Sequence, residues 1–143
     1  MLGNTGPDSR VSAVLDQMGA DYQVDDDHDF RLLFELGSGR SQVAIVNSRT
    51  ERFGAFEIRE VWSIAYTARG PLGTELANEL LARNRRIKFG AWGLEQREDT
   101  RYVVFTVHLA AEADETALGH ALELVLNMAD QLEQELTGAS DAL

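Results

Sequence analysis

The chain contains no cysteine. That excludes a disulfide framework, thiolate metal ligands and a cysteine nucleophile, and it fits a reducing cytoplasm. No stretch approaches the ~20 apolar residues that a membrane-crossing helix needs. The opening MLGNTGPDSR has no apolar run that could act as a signal sequence. A cytoplasmic protein with no membrane partner is therefore expected. A third absence is local. All thirteen basic residues lie at or before Arg101, and positions 102–143 hold eight acids with no Lys or Arg. The net charge of −11 repels phosphate backbones and attracts basic protein surfaces. Direct nucleic-acid binding is disfavoured on this ground, and a basic protein is the expected partner, nucleic-acid-handling proteins being a large class of that charge.

What is present is ordinary for a globular chain: 143 residues, 44% of them hydrophobic. This suits a single domain over residues 1–143 with an ordered core at roughly 9–137. Val11, Val14, Leu15 and Met18 fall at helical spacing, with Asp8 or Ser9 as N-cap and Gly19 as the stop. YQV opens a strand, FRLLFEL forms the next, and GSGR turns the chain into SQVAIVN. In FEIREVWSIAYTA, Phe56, Ile58, Trp62, Ile64 and Tyr66 share one parity, which predicts a strand with that face buried. TELANELLARN gives a helix with Leu76, Leu80 and Leu81 inward and Asn84 as a left-handed stop. IKFGAWGLE and RYVVFTVHLA form a hairpin about QREDT. From Asp114, the stripe Leu118, Leu122, Val125, Ala129, Leu132 and Leu136 marks a long helix ended by Gly138. The order α-β-β-β-β-α-β-β-α with short turns implies an α+β fold: an antiparallel sheet covered by helices.

That order, with its local strings, resembles the YbjN family of small bacterial proteins, whose fold is similar to that of type III secretion chaperones. The likeness rests on the opening helix followed by YQVDDDHDFRLLFEL, on ELLARNRRIKFGAWGLE with its asparagine and phenylalanine-glycine pair, and on YVVFTVHL before the long acidic helix. It spans roughly Val11 to Leu136. The resemblance implies a non-enzymatic, chaperone-like protein that forms homodimers and works by contacting other proteins. It implies no catalytic residue and no cofactor.

Several strings raise sharper readings. In VDDDHDF, Asp25, Asp27 and Asp29 match positions 1, 3 and 5 of a calcium loop, which would make a divalent-ion sensor. Phe30 stands where that loop needs glycine and Leu36 where it needs the closing glutamate, so a hairpin tip is the better reading and no metal site is expected. His28, His108 and His120 share no metal or catalytic spacing. Nucleophile elbows and phosphate loops are absent from the sequence, so an enzyme is not expected. The basic cluster Arg83, Arg85, Arg86 and Lys88 could bind nucleic acid, but it also suits a helix C-terminus or pairing with the acidic final helix. Phe89, Trp92 and Leu94 read as a candidate dimer or partner surface, with Phe89 and Trp92 on opposite strand faces. Cover by a helix of the same chain accounts for them equally well. Glu123, Asp130, Glu133 and Glu135 form a cation-free helix face that either solvates the protein or meets a basic partner.

Overall fold

The computed structural model describes residues 6–141. Helix α1 (Ser9–Met18) starts where the Asp8 carboxylate accepts the Arg10 N–H at 2.9 Å, and it stops at Gly19, whose φ of 70° releases the chain. Strands β1 (Gln23–Val24), β2 (Phe30–Gly37), β3 (Arg40–Phe53) and β4 (Phe56–Arg69) follow as a meander. Helix α2 (Thr74–Asn84) then leads to the hairpin of β5 (Ala91–Arg97) and β6 (Thr100–Ala110), and helix α3 (Glu115–Asp141) closes the chain. The Asp114 carboxylate caps α3 by accepting the Ala117 N–H at 2.9 Å. All strand pairs are antiparallel, in the order β1-β2-β3-β4-β6-β5. The expected α+β element order is the observed one.

Alternation along the strands puts Phe30 and Leu32, Ala44 and Val46, Val61, and Val103, Phe105 and Val107 on one face, all fully buried. Against them lies the apolar stripe of α3: Leu118, Leu122, Val125, Ala129 and Leu132. Val11 and Leu15 of α1 and Leu80 of α2 complete this core. Each such valine, leucine or phenylalanine withdraws enough apolar surface for about 1.5–3 kcal/mol, so this layer is what holds the helices to the sheet.

Four expectations are corrected. The buried row of β4 is Arg59, Val61, Ser63 and Ala65, not the row that begins at Phe56 and includes Trp62. Both parities of β4 carry apolar residues, and the helices settle on the row whose polar members find partners. A register shift between Ile64 and Tyr66 also takes Tyr66 out of the expected row. Leu81 is exposed, because α2 turns its Leu80 and Leu76 side inward and residue 81 lies about 100° round the helix. Asn84 remains helical and is followed by Arg85 at φ −62°, so it is not a left-handed stop. Finally, α3 runs through Gly138 to Asp141, since a glycine ends a helix only where the chain takes up a positive φ.

Candidate functional site

The sheet has a second face on which no helix of the described residues is seated. The row Arg31–Ile45–Trp62–Thr106 crosses it, with Ile64 beside Val104 in the next row. Ile45 and Val104 are buried there, yet they belong to no part of the helix-covered core. Trp62 donates its indole N–H to Asn47 Oδ1 at 2.8 Å, which fixes the ring on the surface. Around this centre the apolar residues are open: Leu33 is 67% exposed, and Phe53 and Phe56 at the tip of the β3–β4 hairpin are 67% and 72% exposed. The residues expected inside β4 thus form the middle of an apolar outer face.

The acidic turn rims this face. Asp25 Oδ1 accepts the N–H groups of Asp27 (2.9 Å) and Asp29 (3.0 Å), and His28 takes a φ of 68° to close the turn. Asp29 Oδ1 accepts the Ser48 N–H at 2.9 Å, tying the turn to β3. Carboxylate oxygens of Asp25, Asp27 and Asp29 lie within 4.8 Å of one another. Burial, and then the Asp25 and Asp27 charges, push the Asp29 carboxyl up against the pull of the Ser48 hydrogen bond. Two of the three carboxylates already serve as acceptors for backbone, Phe30 is in the core, and Leu36 lies in β2, so the local geometry is that of a capped turn. Together with Glu95 and Arg97 of β5, these aspartates line an open depression of about 190 Å³ whose floor is Ile45, Trp62 and Ile64. Two opposite edges of the sheet therefore reach the same hollow.

The expected electrostatic face is largely paired within the chain. Asp130 is buried and holds Arg40 at 3.2 Å, Glu133 accepts from Gln42 Nε2, and Glu135 meets Arg83 at 2.7 Å. Arg83 also bonds Glu79 at 2.9 Å, which leaves Arg85, Arg86 and Lys88 as the exposed cations of the cluster. The hydrogen bond from Arg83, and its charge, hold the Glu135 carboxyl below its usual value. Glu123 is exposed, without a salt-bridge partner among the described residues.

Phe89, Trp92 and Leu94 separate. Trp92 points into the core and meets Phe105 edge-on with ring centroids 5.0 Å apart, while Phe89 and Leu94 are about half exposed. Phe89 precedes the strand, so the two aromatics do not flank one strand as expected. The Asn84 side chain accepts the Trp92 N–H at 2.7 Å and donates to its carbonyl at 3.0 Å, docking β5 onto the end of α2. Gly90 has a φ of 91°, and a Cβ there would lie 2.7 Å from the Phe105 ring, so glycine alone fits. The Trp92 indole N–H is buried with no acceptor among the described residues.

One cluster has no counterpart among the sequence readings. Arg59, on the helix side of β4, is buried with its guanidinium donating to Asp8 (2.7 Å) and to the carbonyls of Asn47 (2.7 Å), Ser48 (3.0 Å) and Ala111 (3.3 Å). Arg10 bridges Asp8 and Glu57, each at 2.9 Å. Burial works to raise the Asp8 carboxyl, but the hydrogen bonds from Arg10 and Arg59 overcome it and hold the group well below its usual value. Hydrogen bonds from Arg10 and Thr50 bring Glu57 down to about 2. The bulge that offers two of the carbonyls, where β3 spends residues 47–49 opposite Glu60, is what makes room for Arg59. The histidines stay apart: His28 in the acidic turn, His108 on the outer face 3.2 Å from Glu60, and His120 exposed on α3.

No helix among the described residues is long and apolar enough to cross a membrane. Residues 7–137 match the model of the YbjN family, described as "Putative bacterial sensory transduction regulator". No curated protein matches the chain.

Proposed function

Because this chain belongs to the YbjN family, we propose that it is a non-enzymatic, homodimeric adaptor that works in a chaperone-like way by holding another protein. The observation that carries the homodimeric part of this reading is the apolar sheet face left without a helix, with Trp62 at its centre and Leu33, Phe53 and Phe56 exposed around it, while the client part rests on the unpaired acids of the α3 region. Displaced acid and arginine groups support it from another side. Asp8, Arg10, Glu57, Arg83 and Glu135 owe their shifts to ion pairs that tie one element to another, which is structural use of charge. The cytoplasmic setting expected from the cysteine-free composition belongs to the same proposal.

The client is basic. With Asp130, Glu133 and Glu135 engaged inside the chain, the acids left to meet it are Glu112, Glu115 and Glu123 on and before α3, which no arginine of the described residues pairs. Affinity capture from the source organism at low and at high ionic strength tests this. Partners of basic isoelectric point that are released by salt are expected. Acidic partners, or retention indifferent to salt, would refute the electrostatic part, and the absence of any stoichiometric partner would refute the adaptor. The exposed Arg85, Arg86 and Lys88 support a second reading as a nucleic-acid site, which a gel shift at low salt decides. The Asp25, Asp27 and Asp29 cluster supports a third, a divalent-ion sensor, which titration calorimetry with calcium and magnesium decides.

A further inference from the structure

We infer that the helix-free face of the sheet is where a second copy of this chain docks, sheet against sheet, with Trp62 near the twofold axis. This assignment rests on the homodimeric reading above and adds the surface, which differs from the Phe89, Trp92 and Leu94 surface expected from sequence. Size is the first argument. Five inter-strand spacings of ~4.8 Å and the eleven residues of β6 at ~3.4 Å each frame a face of roughly 900 Å², reduced where β1, β2 and β5 are shorter. A standard interface takes ~800 Å² from each partner, so the face is of the size a second copy needs.

Charge is the second argument, and it selects the occupant. Around the apolar centre the face carries both signs: Arg31 and Arg97 stand beside Asp25, Asp27, Asp29 and Glu95 at one hollow. A uniformly basic partner would meet the arginines, and a uniformly acidic one the aspartates. A second copy turned through a twofold axis offers each arginine a carboxylate, as an isologous contact requires. Trp62, Ile64, Ile45 and Val104 then become the floor shared by two sheets packed ~10 Å apart.

The experiment uses the whole chain with one charge placed on either side of the molecule. Leu33→Glu puts it on the outer face, and Leu81→Glu on α2, outside that face; the two leucines are 67% and 69% exposed, so neither change disturbs the core. Phe53→Glu, at the hairpin tip, is a second face variant. Masses are measured by light scattering over a dilution series, with circular dichroism melts as the folding control. The wild type is expected near twice the chain mass of 15.8 kDa. Twofold symmetry doubles each buried charge, so Leu33→Glu should raise the dimer dissociation constant at least ~100-fold. Leu81→Glu should leave it unchanged. A wild type of single-chain mass at every concentration overturns the homodimer itself. A wild-type dimer that survives both Leu33→Glu and Phe53→Glu overturns only the assignment of the face, as does one that Leu81→Glu dissociates.

Discussion

Replacing Arg59 with methionine should cost about 4 kcal/mol, the middle of the range for breaking a buried ion pair by removing one partner. The perturbation keeps most of the aliphatic stem and deletes a guanidinium whose donors hold Asp8, Asn47, Ser48 and Ala111. Both charged side chains are almost wholly buried, so water replaces few of the lost bonds. Asp8→Asn is the complementary change. Asparagine still caps α1, but Arg59 keeps its burial and loses its counter-charge, for an expected loss of ~3 kcal/mol. At roughly 3 °C per kcal/mol for a domain of this size, the melting temperature should fall by ~12 °C in the first variant and ~9 °C in the second. The double variant should be less destabilised than the two losses added, with a coupling of at least ~1.5 kcal/mol. Chemical denaturation of all four proteins measures this directly. Single losses below ~1 kcal/mol, or losses that add to within ~0.5 kcal/mol, would refute the claim that this cluster joins α1, β3, β4 and the turn after β6.

Gly90→Ala should lower the melting temperature by at least ~6 °C, because the new Cβ would lie 2.7 Å from the Phe105 ring at a φ of 91°; an unchanged melt would contradict the close approach of β5 to β6. Trp92→Phe should cost under ~1.5 kcal/mol, little for a buried tryptophan, since it removes the unpaired indole N–H along with some packing. Acid should act in a defined window. Glu57 titrates near 2 when folded against an ordinary 4.5, and Asp8 is likewise depressed, so their stabilisation is complete above pH ~4.5 and lost as the pH falls towards ~2. Asp29, raised by burial, works in the opposite sense. Urea midpoints measured from pH 6 downwards should therefore fall below pH ~4.5 in the wild type and fall less in Asp8→Asn; equal slopes would rule out Asp8 as a source.

The element order was legible because it rests on local chemistry: the Asp8 cap, the glycine at 19, the parity of the strands and the four-and-three spacing of α3 are each visible within a few residues. What could not be read depends on partners far along the chain. Arg59 carries no local sign of burial, and only residues 8, 47, 48 and 111, brought in by three other segments, make it a core residue. Arg40 and Asp130 stand 90 positions apart, so that pair is not legible in the sequence, whereas pairing of the basic cluster with the final helix is one of its readings and is met by Arg83 and Glu135. For the same reason Trp62 exchanges its expected core place for the outer face, while Trp92, left open between partner surface and core, lies in the core. The strand pattern of β4 offers two apolar sides, and the seat of α3 decides which becomes interior.

That exchange also supplies the most direct measurement. The chain has two tryptophans, so Trp92→Phe leaves Trp62, on the outer face, as the sole indole reporter. Its emission should move to the blue as concentration rises, with the midpoint of the shift matching that of the mass change, because a second copy removes the ring from water. A doubling of mass with Trp62 emission unchanged would mean that the copies meet elsewhere, and an unchanged mass with unchanged emission would mean that they do not meet.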